Sequence, residues 1–261
     1  MNMRLIKLLV LVFTASVLML ACSVGEVLED ADPGGEQQET PQGTKKQPEV
    51  VNYEAPEFPL PLEMPNTGCT DNGNGWITCA EGSPLFELGC LTISPLDDSL
   101  GGLDPTLPVM SCRVERTFED LPPEEYLYNI GCADNLYVRM FTWHDGDFDL
   151  IKGIPDLQRL FAPVESPVEA VSYAIASTGY WADFGFEAVK GYRYFTDSIE
   201  GTHVTETETG YAVNLFGYRV CGCGPHTYYR VDVTVTREGN VTVGERIPLY
   251  EDPEQDGMCV D

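Results

Sequence analysis

The sequence predicts an α+β fold: an antiparallel sheet packed on one main helix, with a loop-rich, disulfide-linked amino-terminal part. Three observations carry that expectation. Ser166-Pro-Val-Glu169 is a capping box with proline at the first helical position, Gly179 supplies the stop, and Val168, Val171 and Ile175 share one face between them. Strand-like segments then follow one another, and in Tyr229–Arg237 the residues Val231, Val233 and Val235 alternate with Asp232, Thr234 and Thr236, the pattern of a sheet with one buried and one wet face. Nine cysteines are scattered through the chain, and eight of them lie beyond residue 65.

Taken in order, the elements begin with Met1–Lys7, which carries Arg4 and Lys7, and an apolar run from Leu8 to Ala21 broken only by Thr14 and Ser16. A basic stretch before a short apolar run has the size of an export signal and is too short to span a bilayer comfortably. The run ends in Leu18-Met19-Leu20-Ala21-Cys22, which resembles the lipobox of bacterial lipoproteins, although Met19 and Leu20 are bulkier than the residues favoured there. The resemblance implies that residues 1–21 are removed as a signal peptide, that Cys22 is the acylated first residue, and that the protein sits in the bacterial cell envelope. Ser23 in place of an aspartate implies sorting to the outer membrane. The alternatives are an uncleaved anchor, or a plain cysteine after ordinary cleavage.

Residues 22–65 read as the acylated cysteine and a tether. Ser23–Pro65 holds seven prolines, four glycines and ten acidic residues with no apolar period, so it buries too little to offset its ordering entropy. Phe58–Pro65 is the expected point of first packing. The folded unit is expected over 66–261, as a loop-rich β part (66–150) and an α+β roll (151–261).

In the first of these, Trp76–Cys79 and Leu85–Ile93 are short strand candidates, Pro122–Tyr128 reads as a helical turn or two, and Leu136–Trp143 is a strand rich in aromatic and β-branched residues. After the helix come strand candidates at Val189–Thr196, Thr202–Glu208, Tyr211–Val220, His226–Arg237 and Val241–Leu249. The layout of a helix followed by a hairpin-linked sheet over roughly 165–250 resembles the cystatin-like and PepSY-like α+β rolls, which implies the roll but no activity.

The remaining cysteines are Cys69, Cys79, Cys90, Cys112, Cys132, Cys221, Cys223 and Cys259. In an exported chain an even set reads as four disulfides, with 105 connectivities open. Five cysteines lie at or before Cys132 and three at or after Cys221, so full pairing forces an odd number of bridges between the groups. At least one disulfide must tie the two halves together.

The 261 residues carry 42 Asp and Glu against 15 Lys and Arg, a net charge of −27, which excludes a nucleic-acid partner and electrostatic docking on anionic lipid. The membrane is then reached only through the lipid anchor. Cys221-Gly-Cys-Gly-Pro-His226 has the ligands for copper or zinc, but an oxidising compartment turns those thiols into disulfides. Asp145, Asp147, Asp149 and Asp156 fall at positions one, three, five and twelve of a calcium loop, with Leu150 where glycine is needed. A structural calcium ion is therefore the one cofactor suggested; otherwise these residues, like Asp71–Gly75 and Asp252–Gly257, are turn formers.

The three histidines, His144, His203 and His226, belong to no hydrolase, phosphate-loop or dinucleotide motif, and adjacent His144 and Asp145 are expected to point apart on a strand. Tyr173, Tyr180, Trp181, Phe184, Phe186, Tyr192, Tyr194 and Phe195 either line a groove for a peptide, glycan or small apolar ligand, or fill the core between helix and sheet, the commoner use. The functional expectation is a non-catalytic binding or interaction module with a protein, peptide or glycan partner. The alternatives are an exported hydrolase with a carboxylate site and a calcium-stabilised surface protein.

Overall fold

The computed structural model describes residues 46–60, 62–73, 76–114, 120–132 and 135–260. Residues 1–45, which include the expected signal peptide, Cys22 and most of the expected tether, lie outside the described residues. The first strand, β1 (Glu49–Val51), runs parallel to a strand of the carboxy-terminal half.

The amino-terminal sheet is built from β2 (Thr70–Asp71), β3 (Ile77–Thr78), β4 (Thr92–Pro95), β5 (Val109–Arg113), β6 (Tyr128–Asn129), β7 (Tyr137–His144) and β8 (Asp147–Ile151). Its order is β2-β3-β4-β5-β7-β6, with β8 sharing that outer edge of β7, and every pairing is antiparallel. The segment expected to be a strand over 85–93 begins instead as the short helix α1 (Pro84–Glu87), whose Ser83 side chain caps Phe86 N. Within 122–128 a single helical turn forms, the 3₁₀ turn Pro123–Glu125.

Two helices follow, α2 (Ile154–Phe161) and α3 (Pro167–Thr178). The carboxy-terminal strands are β9 (Arg193–Tyr194), β10 (Ser198–Glu200), β11 (Val204–Glu206), β12 (Gly210–Tyr218), β13 (Gly222–Cys223), β14 (Thr227–Thr236), β15 (Val241–Val243), β16 (Ile247–Glu251) and β17 (Cys259–Val260). Six of them form a sheet of order β11-β12-β14-β16-β9, with β15 also on β14; β1–β10 and β13–β17 are separate pairs.

The α+β expectation is corrected by this architecture. Strands hold 35% of the described residues against 17% in helix, spread over several antiparallel sheets, and the helices among the described residues are three small ones. The fold is mainly β, because the half expected to be a loop-rich β part builds a sheet of seven strands. Its strands are mostly two to five residues long and find their partners across the sequence, so no local alternation announces them.

The cap forms at the expected residues, although the Glu169 carboxylate accepts the Glu165 amide, one residue before Ser166. Ser166 Oγ accepts the Glu169 amide, worth about 1 kcal/mol at an exposed cap, and Gly179 closes α3 at φ +70°. Only glycine suits that position twice over, since a Cβ there would also lie 2.5 Å from the Tyr128 ring. But α3 is buried nearly all round, from Glu169 to Ser177, where a surface helix would keep one polar face. Val171, Tyr173 and Ala174 share a core with Val213, Leu215, Val231, Val233 and Val235 of the second sheet. Elsewhere on α3, Ser172 Oγ donates to Ser99 O and accepts from Gly102 N, tying the helix to the 3₁₀ turn Asp98–Gly102 of the amino-terminal half. Each fully buried Val or Ile in this core contributes about 1.5–3 kcal/mol. A second core, around Leu85, Ile93, Met110 and Phe141, lies in the first sheet, and a third, around Phe186, Tyr194, Ile199 and Phe216, in the second.

The tether ends earlier than expected. From Gln47 the chain is strapped to the body: Gln47 Nε2 donates to Ala188 O, Glu49 N to Asp197 O, and Asn52 Nδ2 to Phe186 O. Phe58 packs against the main core, and a Cβ on Gly101 would stand 1.8 Å from the Pro59 carbonyl oxygen, so glycine there is what lets the strap lie flat. The pairing of β1 with β10, about 150 positions away, supplies the ordering that composition alone does not.

All eight cysteines beyond residue 65 are joined: Cys69–Cys79, Cys90–Cys112, Cys132–Cys221 and Cys223–Cys259. One bridge, Cys132–Cys221, crosses between the halves, as the odd count required. The described residues belong to one compact unit.

Candidate functional site

The disulfides dispose of the thiolate-metal arrangement, since Cys221 and Cys223 are both oxidised. His226 is buried, with Nδ1 3.2 Å from Arg219 O and Nε2 3.1 Å from Met258 O, so it ties the carboxy-terminal segment to the end of β12.

The four aspartates of the calcium loop are divided between other tasks. Asp145 and Gly146, at φ +52° and +89°, form the tight turn joining β7 to β8, which suits an Asp-Gly pair. Asp147 accepts the Phe148 amide. Asp149 is gripped by both terminal nitrogens of Arg159 at 3.0 and 3.1 Å, and Asp156 accepts the Lys152 amide and lies 3.6 Å from the same guanidinium. Asp71 likewise accepts Gly73 N, and Asp252 accepts Glu254 N. Among the described residues no group of three or more His, Cys, Asp or Glu is arranged to hold a metal ion.

His144 and Asp145, expected to point apart, come within 3.7 Å because Asp145 has left the strand for the turn; both are exposed. His203 stacks near Tyr53 at 4.5 Å, with Nδ1 3.0 Å from Gly201 O.

The aromatic cluster splits between its two readings. Tyr173, Phe186 and Tyr194 are core, and the Tyr173 hydroxyl donates to Gly239 O. Tyr192 stacks on Tyr250, which stacks on Tyr228, and Phe184 packs against the main core. Tyr180 and Trp181 instead face a groove of about 590 Å³.

That groove is made by chain geometry. The left-handed turn at Gly179 ends α3 and delivers Tyr180 and Trp181 alongside β12, where Trp181 N donates to Phe216 O at 3.1 Å and Phe216 N to Trp181 O at 2.9 Å. The facing wall is Tyr128 to Gly131, shaped by Asn129 Oδ1, which accepts the amides of both Gly131 and Leu136. The Cys132–Cys221 bridge clamps this wall to the carboxy-terminal half. Tyr229 lies in the groove edge-on to Tyr180, 6.0 Å between centroids. Burial pushes the Tyr229 hydroxyl up to about 12, with the Tyr180 hydroxyl adding to the rise and the Arg246 and Arg219 charges opposing it.

Two features set the groove apart. Ile130, Trp181 and Val243 line it while remaining 43%, 39% and 45% exposed. Large apolar side chains left together in water mark a site of contact more often than scattered ones do. The groove also holds two arginines, Arg219 and Arg246. Arg246 Nε donates to the Tyr180 hydroxyl at 3.3 Å and its guanidinium lies 5.1 Å from the centre of the Tyr229 ring. A smaller cavity of about 270 Å³ under Leu62 and Met64 is lined mainly by leucines, and Asp97 at its edge is occupied in capping Ser99 N.

Sequence reasoning reached Tyr180 and Trp181 but not Tyr128, Ile130, Arg219, Tyr229, Val243 or Arg246. These come from two stretches, 128–130 and 219–246, nearly ninety residues apart, and no local pattern links them.

No helix among the described residues is long and apolar enough to cross a membrane, and the four disulfides belong to an oxidising, exported environment. Comparison of the chain with protein-family models, with curated proteins and with solved structures found no match in any of the three.

Proposed function

We propose that this chain is an exported, lipid-anchored binding module of the bacterial outer membrane, and that the groove between Tyr128–Gly131 and Tyr180–Trp181 is its ligand site. The observation that carries the binding reading is the grouping of exposed Ile130, Trp181 and Val243 in one groove of ligand size. Trp181 acts as the platform on which a flat or apolar ligand face lies, with Ile130 and Val243 closing on its edges.

The test uses the indole N–H resonances of the three tryptophans during titration with 2-naphthamide, an uncharged aromatic probe. The Trp181 signal is expected to move while those of Trp76 and Trp143 stay put. Trp181→Ala is expected to weaken binding about tenfold or more, the loss typical of an aromatic anchor. Equal movement of all three signals, or none, contradicts the groove as the site.

The anchor rests on Ala21-Cys22 at the end of the apolar run. Cys22→Ala is expected to abolish the acyl mass and release the protein from the membrane fraction. A variant that keeps both contradicts it.

A further inference from the structure

We infer that the ligand of this groove is a small organic oxyanion, a carboxylate or phosphate ester on an apolar body, whose head is held by Arg219 and Arg246 while its body lies against Trp181. The inference rests on the groove being the binding site and names what that site selects.

The reasoning begins with charge pairing. The chain has 42 acidic residues and 15 basic ones, so a guanidinium should find a carboxylate easily. Several do: Arg139 pairs with Glu125, Arg159 with Asp149 and Asp156, Arg193 with Glu251 and Asp256, and Arg237 with Glu206. Among the described residues Arg219, Arg230 and Arg246 pair with no carboxylate, and two of these three, Arg219 and Arg246, line the same groove. Arg246 lies over the Tyr229 ring, 5.1 Å from its centre, and Arg219 lines the same groove from the end of β12. Two guanidiniums in one groove without a carboxylate partner, in a molecule with carboxylates in excess, make a local positive patch that attracts an anion.

The hydrogen-bonding inventory narrows the ligand further. Arg246 commits Nε to the Tyr180 hydroxyl, which leaves its terminal nitrogens as donors. The polar side chains along the walls are already engaged with their own backbone: Ser177 Oγ and Thr178 Oγ1 donate to Ala174 O, and Asn129 serves its own turn. Those two hydroxyls have spent their single donors, so the charged donors left to a ligand in the groove are the guanidiniums. A group that accepts suits them, as carboxylate and phosphate do. The planar guanidinium fork matches either oxyanion in a bidentate manner. The rest of the groove is aromatic and aliphatic, so the anion must carry an apolar body. The overall negative charge disfavours a long polyanion and favours a compact ligand with one charged head.

The test is calorimetric titration of the full-length purified chain with three matched probes: 2-naphthoate, 2-naphthyl phosphate and neutral 2-naphthamide. One or both anions are expected to bind about tenfold or more tighter than the amide, the gain from a charge-assisted pair, and the tighter anion assigns the head group. That preference should shrink as salt is raised. Arg219→Gln and Arg246→Gln should each cut anion affinity about tenfold while leaving the amide nearly unchanged, and Arg246→Lys should retain part of the preference. Arg237→Gln, beyond the far end of β14, should have no effect. If the amide binds as tightly as the anions, the oxyanion assignment falls and the groove reading survives. If the anions bind unaffected by both arginine variants, the assignment of the head falls. If no probe binds and Trp181 is silent, both readings fall.

Discussion

Replacing Cys132 and Cys221 together by serine is expected to lower stability by about 4–5 kcal/mol, close to the limit for one disulfide. In the chain-entropy account a cross-link acts mainly by shrinking the freedom of the unfolded chain, and this one closes a span of 89 residues that contains no other bridge. Cys69–Cys79 spans ten residues, so its loss should cost only about 2.5–3 kcal/mol by the same relation. Urea denaturation of the two double-serine variants measures the comparison. Equal losses, or a larger one for the short loop, would show that chain entropy is not the main term. The long bridge has a second consequence, because Gly131 and Cys221 both line the groove. Its removal should loosen the wall and weaken ligand binding beyond what the stability loss explains, whereas serine at Cys69 and Cys79 should leave binding intact.

Arg193→Ala is expected to cost about 3 kcal/mol, the lower end for exposing a buried charge to its own desolvation. Glu251 is almost fully buried and accepts from Arg193 Nε at 3.1 Å, from its Nη2 at 3.0 Å, and from Thr227 Oγ1 at 2.8 Å. Without the guanidinium, its negative charge keeps one neutral donor. Arg193 is itself partly exposed, which lets water replace some of what is lost. Adding Glu251→Gln to Arg193→Ala should recover a large part of the deficit, and a double-mutant cycle would read the coupling directly.

The same residue gives the fold a dependence on pH. The Arg193 guanidinium, hydrogen-bonded to Asp256, holds that carboxyl below the usual aspartate range. An acid whose folded pKa is depressed adds stability that is fully present above its unfolded pKa and is lost as pH falls through the folded one. Wild type should therefore lose part of its stability below about pH 4, near the ordinary aspartate value, and Arg193→Ala should flatten that part of the profile.

Much of the carboxy-terminal half was legible in the sequence because its signals are local. Ser166, Glu169 and Gly179 mark the ends of a helix whatever surrounds it, and the alternation of Val231, Val233 and Val235 fixes a buried face within one strand. Cysteine parity also worked without any geometry. The amino-terminal sheet was legible only in part: Trp76–Cys79 and Leu136–Trp143 stood out and became strands, while Thr70–Asp71 is too short to show a period and gains its order from neighbours and a bridge. Nor did composition show that Glu49–Val51, within an acidic and proline-rich stretch, would pair with Ser198–Glu200. The helix misled for a related reason: its caps are local, but its burial on all sides depends on a second half that local patterns left loop-rich. The groove was half visible. Tyr180 and Trp181 stood out as aromatics, while Arg219 and Arg246 acquire meaning only once topology brings them together without acidic partners.

The most direct measurement is a crystal structure of the protein soaked with 2-naphthoate. The ring system is expected against Trp181, with the carboxylate within hydrogen-bond distance of Arg219 and Arg246. A naphthoate bound elsewhere, or lying in the groove with its carboxylate turned to solvent and both arginines unengaged, would contradict the account.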